Sequence, residues 1–284
     1  MTRRLMIFWD YDTQWGADRS RSTGGPKDWG RMEFENTERL LELHAFFSVP
    51  ACFAVVGAAA LPGERPYHDP NQIRRIAQMG HEVASHSMHH EWLPALSKNH
   101  LFQTLRQSKD ALEQCLGKPV VSFVPPYNQP FDFPSRLSIS LSERREVQVD
   151  RTDIPRMCAG LREAGYLFTR ISYHPVYERI WRMGFGKQNG RLSKLERVKD
   201  VTCIRLKMRG GFPGEALAFL ANSTANTSIL VAYGHPHALH SGNAQDERYL
   251  IPFLEQVQQL VAAGELKIVL PRLLVHSHSS WNKA

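Results

Sequence analysis

The nine residues Val49-Pro-Ala-Cys-Phe-Ala-Val-Val-Gly57 carry no charge and no apolar/polar alternation. A run apolar on both faces reads as a strand covered from both sides, the condition of a parallel sheet rather than of a strand wetted on one face. The segment before it agrees. Thr37-Glu-Arg-Leu-Leu-Glu-Leu-His-Ala-Phe-Phe47 places apolar residues at 40, 41, 43, 46 and 47, one stripe of an amphipathic helix with Thr37 as N-cap. Earlier still, residues 4–9 form a short β-prone run ending in Phe-Trp-Asp-Tyr-Asp, followed by a polar, Gly-rich loop over 13–32. Strand, helix, strand predicts parallel pairing with right-handed crossovers.

The alternation continues. Pro70 to Met79 reads as a helix ending at Gly80, a residue suited to the left-handed position past a helix end. Glu82 to Ser85 is strand-like, Leu101 to Leu116 is a helix before Gly117, and Val120 to Val124 is a strand running into Pro125-Pro-Tyr127. Residues 128–156 have no clear period and read as an elaborated loop. Cys158 to Ala164 is a helix, Tyr166 to Ile171 a strand, and 173–200 an aromatic and basic stretch of weak periodicity. A strand at 201–208, a helix at Gly214 to Asn222 and a buried strand at Ser228 to Tyr233 lead to Gly-His-Pro-His237. A long helix at 246–263, a strand at 266–270 and a polar tail with His276 and His278 complete the chain. The expectation is one domain over 1–284, an α/β fold of parallel strands, with insertions at about 128–156 and 173–200.

Composition narrows the class. The apolar fraction is 42%, ordinary for a globular protein, and no run approaches the roughly 20 apolar residues of a membrane span. Met-Thr-Arg-Arg passes straight into a strand, so no signal peptide is expected. Cys52, Cys115, Cys158 and Cys203 lack metal-type spacing, which predicts reduced thiols and a cytoplasmic address. The net charge of +7 and pI near 9.3 admit phosphorylated substrates, an anionic membrane surface or nucleic acid. The basic residues are interspersed with acids and have no interleaved aromatics, so a nucleic-acid surface is not expected.

In parallel β/α folds the reacting groups gather where strands end. Those ends carry Asp10 and Asp12, His86 and His90, Tyr127, and His235. In Gly80-His-Glu-Val-Ala-Ser-His-Ser-Met-His-His90 the two histidines stand four apart, so one helical turn after the strand would aim both rings at one point. Two His and one carboxylate with open positions suit a hydrolytic metal centre. Each group alone has an ordinary explanation: a capping cluster for the aspartates, a polar turn for the histidines, packing for Tyr127. Their coincidence at strand ends argues for a site.

These residues resemble the polysaccharide deacetylases of the NodB-homology type, carbohydrate esterase family 4. The likeness runs through Trp9-Asp-Tyr-Asp12, Thr37 to Leu43, Val49 to Gly57, Gly80 to His90, Pro125-Pro-Tyr127 and the strand before His235, and leaves about 128–227 unmatched. It implies a distorted (β/α) barrel holding zinc, or another divalent ion such as Co2+ or Ni2+. By the same resemblance Asp10 is the general base, and Asp12, His86 and His90 are the metal ligands. Ser87 shapes the turn, the Tyr127 amide holds the oxyanion and His235 is the general acid; His89 falls outside the family's spacing.

Two departures stand out: Tyr11 separates the aspartates, and Val124 occupies the position where the family usually has an arginine that orients the catalytic Asp. Arg151 is a candidate replacement. The implied activity is removal of an N-acyl group, acetyl first, from an amino sugar in surface-glycan or lipopolysaccharide biosynthesis. The sugar would be nucleotide- or lipid-linked, with peripheral membrane contact. The alternatives are a related amidohydrolase, an N-deformylase or cyclic-amide hydrolase, and a non-catalytic glycan- or metal-binding protein on the same fold.

Overall fold

A computed structural model describes residues 2–20, 24–128, 154–172, 192–193, 195–206, 211–222 and 229–277. Its strands are β1 (Arg3–Tyr11), β2 (Cys52–Val55), β3 (Glu82–Ser85), β4 (Ser122–Phe123), β5 (Phe168–Ser172), β6 (Leu192–Ser193), β7 (Leu195–Val198), β8 (Val201–Leu206), β9 (Ile229–Gly234) and β10 (Leu266–Ile268). Its helices are α1 (Thr13–Arg19), α2 (Trp29–Phe46), α3 (Pro70–Gln78), α4 (Lys98–Leu116), α5 (Ile154–Glu163), α6 (Gly214–Asn222), α7 (Glu247–Ala262) and α8 (Pro271–Ser277). The sheet runs β6-β9-β1-β2-β3-β4-β5-β8-β7, with β10 also on β1. From β9 to β8 every pairing is parallel. β6 and β7, separated only by residue 194, pair antiparallel with β9 and β8, the two ends of that parallel order. One stretch of chain thus links both edges and closes the sheet into a distorted barrel, the expected fold class.

Strand parity divides the apolar residues into two sets. Leu5, Ile7, Trp9 and Tyr11 of β1 belong to the cluster that also contains Leu40, Leu41, Ile73, Leu105 and Phe253 of the helices. Met6 and Phe8 join Ala54, Ala84, Val124, Phe168, Val231 and Tyr233 in a second cluster inside the barrel. Leu274 of α8 belongs to that inner cluster. The N-terminus of α8 is held by Glu82, whose carboxylate accepts from the Arg272 amide at 2.9 Å and from Ser122 Oγ at 2.5 Å.

Three sequence expectations are corrected. The supposed loop over 13–32 contains α1 and the start of α2, which begins eight residues before Thr37. Thr37 is not its N-cap but a fully buried mid-helix residue. The first turns escape a periodicity reading because their buried positions are Gly30, Glu33 and Thr37, polar or without a side chain, beside Phe34. Residues 271–277 of the expected polar tail form α8, and His278 lies outside the described residues. No helix among the described residues is long and apolar enough to cross a membrane.

Under β1 and β2 two histidines are buried in the neutral form. His44 Nε2 accepts from Trp9 Nε1 at 2.8 Å and its Nδ1 donates to Val49 O at 2.6 Å, while His81 Nδ1 accepts from the Ala51 amide at 3.0 Å. Burial, with His81 nearby, holds His44 at about 3; burial holds His81 at about 4. The unfolded chain takes up protons at both rings below about 6.5 while the folded chain refuses them, so stability falls with pH across that window. Between pH 7 and pH 5 the two rings together should cost about 4 kcal/mol. His81→Asn, which keeps an acceptor for the Ala51 amide, should remove about half of that slope. Urea unfolding of both proteins at the two pH values checks this; parallel slopes would refute it.

Candidate metal and catalytic site

On four strands the inward column ends in a polar residue. On β1, Met6 and Phe8 are followed at the same parity by Asp10 and then Asp12; on β3, Ala84 by His86; on β5, Phe168 by Arg170; on β9, Val231 and Tyr233 by His235. A period of two that fills the barrel with apolar side chains therefore aims polar ones at a single point above it. Asp10, Asp12, His86, His90 and Arg170 are all buried.

Asp12, His86 and His90 offer one ligand atom each within 4.8 Å of one another. Asp12 Oδ1 lies 3.2 Å from His86 Nε2 and 3.5 Å from His90 Nε2. The His86 tautomer is set from behind: Nδ1–H donates to the Val124 carbonyl at 2.7 Å, leaving the Nε2 lone pair facing Asp12. The anticipated helical turn between the two histidines is absent. Ser87 and His90 instead adopt left-handed backbone, φ 66° and 59°, and the loop is pinned by surrounding hydrogen bonds. Gly57 N–H and Ser108 Oγ both donate to Ser87 O at 2.8 Å, and Ser87 Oγ accepts from Glu91 N–H at 3.1 Å. His89 turns away, its Nδ1 3.3 Å from Glu91 and its ring against Trp15.

Asp10 stands beside this cluster. Its Oδ2 accepts from Arg170 Nη2 at 2.5 Å, and its Oδ1 is buried without a hydrogen-bond partner. Arg170 is 2% exposed, its guanidinium 5.0 Å above the Phe8 ring and 4.8 Å above that of Tyr233. Burial pushes the Asp10 carboxyl upward, but Arg170, then His86 and His235, outweigh it and hold the group below the usual range. Asp12 is likewise held down, with His90 the largest opponent of burial.

Arg170 was not anticipated from the sequence. β4 and β5 pair Phe123 with Thr169, so one step further along that register Val124 lies opposite Arg170. An arginine thus stands at the height of Val124 on the adjacent strand. Arg151, the candidate replacement, lies outside the described residues.

His235 closes the far side, its Nε2 3.9 Å from both Asp10 Oδ2 and Asp12 Oδ2 and its side chain 29% exposed. Its amide donates to Gln245 Oε1 at 2.5 Å. Tyr127 sits at φ 58°, with its hydroxyl donating to Arg19 O at 3.1 Å and His90 O at 3.3 Å and its ring 4.5 Å from that of His90.

The donor set fits a divalent transition metal. Three ligand atoms converge, the Asp12 Oδ1 that faces both rings is a buried oxygen with no hydrogen-bond donor, and two nitrogens with a carboxylate oxygen suit zinc, cobalt or nickel.

Residues 27–136 match the family model described as polysaccharide deacetylase. Structures of that group superpose over nearly the whole chain. A Mycobacterium smegmatis protein assigned to the polysaccharide deacetylases gives a TM-score of 0.64 at 16% identity, covering 98% of this chain and 91% of its own. Its fold is theirs. A Pseudomonas aeruginosa PAO1 protein with the same assignment gives 0.61 at 13% identity, covering 99% and 92%. A family 4 carbohydrate esterase from Streptomyces lividans, in complex with acetate, gives 0.50 at 12% identity, covering 94% and 92%. No curated protein matches the chain. The match to polysaccharide deacetylases bears out the resemblance read from the sequence. The matched residues include the loop of His86 and His90 and Pro125-Pro-Tyr127, but not Asp10, Asp12, Arg170 or His235.

Proposed function

We propose that this chain is a metal-dependent hydrolase that removes an N-acyl group, acetyl first, from an amino sugar. The observation that carries the reading is a buried Asp10 with one oxygen held by Arg170 and the other free, beside three converging ligand atoms of Asp12, His86 and His90. The family match over residues 27–136 supports it.

When bound by Asp12, His86 and His90, zinc, cobalt or nickel supplies Lewis acidity, which polarises a carbonyl and brings the pKa of water toward neutrality. Asp10 accepts the proton of the attacking water at Oδ1, the unpartnered oxygen, while Arg170 keeps the carboxylate charged and fixes its plane. The Tyr127 amide serves as the oxyanion donor. His235, at the rim, delivers a proton from Nε2 to the departing amine.

The substrate we place here is a nucleotide- or lipid-linked amino sugar of surface-glycan or lipopolysaccharide assembly, met in the cytoplasm with peripheral membrane contact. The charge of +7 suits a phosphorylated carrier. The non-catalytic alternative rests on Val124 and on the long atypical insert; the guanidinium of Arg170 on Asp10 favours catalysis.

The test joins metal content to turnover. The purified protein should hold about one divalent ion per chain and release acetate from a panel of N-acetyl amino sugars. Chelation should abolish release, and added Zn2+, Co2+ or Ni2+ should restore it. Full metal occupancy with no turnover of any amide would replace this reading with the binder, and turnover confined to formyl or cyclic amides with the related amidohydrolase.

A further inference from the structure

One face of α2 reaches both halves of the candidate site. Glu33 is 0% exposed, and its two oxygens point in different directions. Oε2 accepts from the amide of Thr13 at 2.5 Å, the residue immediately after Asp12. Thr13 sits at φ 56°, a left-handed conformation that a β-branched residue adopts only when held there. Oε1 lies 3.7 Å from Nδ1 of His237, two residues beyond His235.

The neighbours of Glu33 on the same face grip the same turn. Asn36 Nδ2 donates to the Pro236 carbonyl at 2.8 Å and to that of Leu239 at 3.3 Å. Trp29 stacks on the His237 ring, centroids 4.2 Å apart and planes 16° from parallel. Trp29, Glu33 and Asn36 stand at i, i+4 and i+7, one stripe of the helix. The His237 ring in turn lies 5.3 Å from that of His235.

We propose that Glu33 and His237 are positioning residues for the hydrolysis proposed above, on which this inference rests: Glu33 ties the Asp12 turn to the His235 turn, and the His237 ring, clamped between Glu33 and Trp29, walls His235 into place. A contact serving only to pack α2 on the barrel would be met at lower cost by an apolar or amide side chain. An ionisable carboxylate in the interior demands compensation, and this one has a single backbone donor at Oε2 and, facing Oε1, the His237 ring at 3.7 Å, where neither Oε1 nor Nδ1 has a hydrogen-bond partner. Burial lowers the proton affinity of His237, but Glu33 first, then Asp12 and Asp10, outweigh it and raise it above the ordinary value.

The test uses the metal-loaded full chain. Glu33→Gln keeps the length and an acceptor for the Thr13 amide while removing the charge that faces His237. It should leave metal content and KM unchanged and lower kcat by about tenfold to a hundredfold, the effect of sub-ångström misplacement of a reacting group. His237→Gln should do the same, and the double variant should be no worse than either single one. Losses that multiply, metal loss in Glu33→Gln, or wild-type kcat in either single variant would overturn the proposal.

A second readout does not depend on turnover. In histidine-labelled protein the His237 Cε1–H resonance should titrate above the ordinary value of about 6.5, fall back in Glu33→Gln, and the His235 resonance should shift with it. Unchanged resonances in Glu33→Gln would overturn the coupling even if no amide were found to be a substrate. Shifted resonances without any turnover would leave the pair standing and refute only the hydrolase reading.

Discussion

Asp10→Asn should lower kcat on the preferred N-acyl sugar by about a thousandfold, with metal content at the wild-type level. Removing a positioned general base typically costs a factor of 10²–10⁴, and a thousandfold corresponds to about 4 kcal/mol of barrier. The asparagine carbonyl can still accept from Arg170, whose guanidinium keeps its place over Phe8 and Tyr233. What is lost is the oxygen without a partner, replaced by an amide that cannot accept the proton of water. Because the converging ligand atoms belong to Asp12, His86 and His90 and not to Asp10, occupancy is the control. Near wild-type kcat would remove Asp10 from the role of base, and loss of metal would make it a ligand instead.

Most of the barrel is legible from local pattern because its strands obey a simple rule. Apolar runs such as 49–57 and 229–233 are buried on both faces, and the helices between them end at Gly80 and Gly117, both with positive φ. Pattern fails where a buried position is polar. The first turns of α2 are hidden because Glu33 and Thr37 face inward, and α1 because its buried face is Thr13, Gln14, Gly16 and Ala17. Closure by β6 and β7 depends on pairing between segments distant in sequence, which no local window contains.

The candidate metal cluster was readable for a different reason: its residues are concentrated in Trp9 to Asp12 and in Gly80 to His90, close enough in sequence to suggest convergence. The conformation was not, since left-handed Ser87 and His90 obey contacts from Gly57, Ser108 and Tyr127 rather than any propensity of their own. Arg170 carried a usable signal that periodicity alone passes over. In Phe168-Thr-Arg-Ile-Ser172 the arginine has the parity of Phe168, so it must point into the barrel, and a charged residue there requires a partner. Glu33 carried the same kind of signal on a helix.

The sharpest consequence of that signal concerns Arg170 itself. Arg170→Met should lower turnover near pH 6 by at least about a hundredfold and shift the acid limb of the rate profile upward. In the wild-type protein the base is held ionised: burial disfavours the Asp10 carboxylate, and Arg170 is the largest of the influences that reverse this. With its carboxyl depressed, Asp10 remains a competent base below the usual carboxylate range. Take the guanidinium away and burial acts against a weaker opposition, so the carboxyl protonates at higher pH and activity recovers as the medium is made more alkaline. Arg170→Lys, which keeps a cation but not the planar donor, should fall between the two. Arg170→Met also leaves a buried carboxylate without its partner, for which about 3–5 kcal/mol of lost stability is expected. Rate profiles and urea unfolding on the three proteins decide the matter. A Met variant with a lowered rate but an unmoved acid limb would mean that Arg170 serves packing on Phe8 and Tyr233, and that the role vacated at Val124 has not passed to β5.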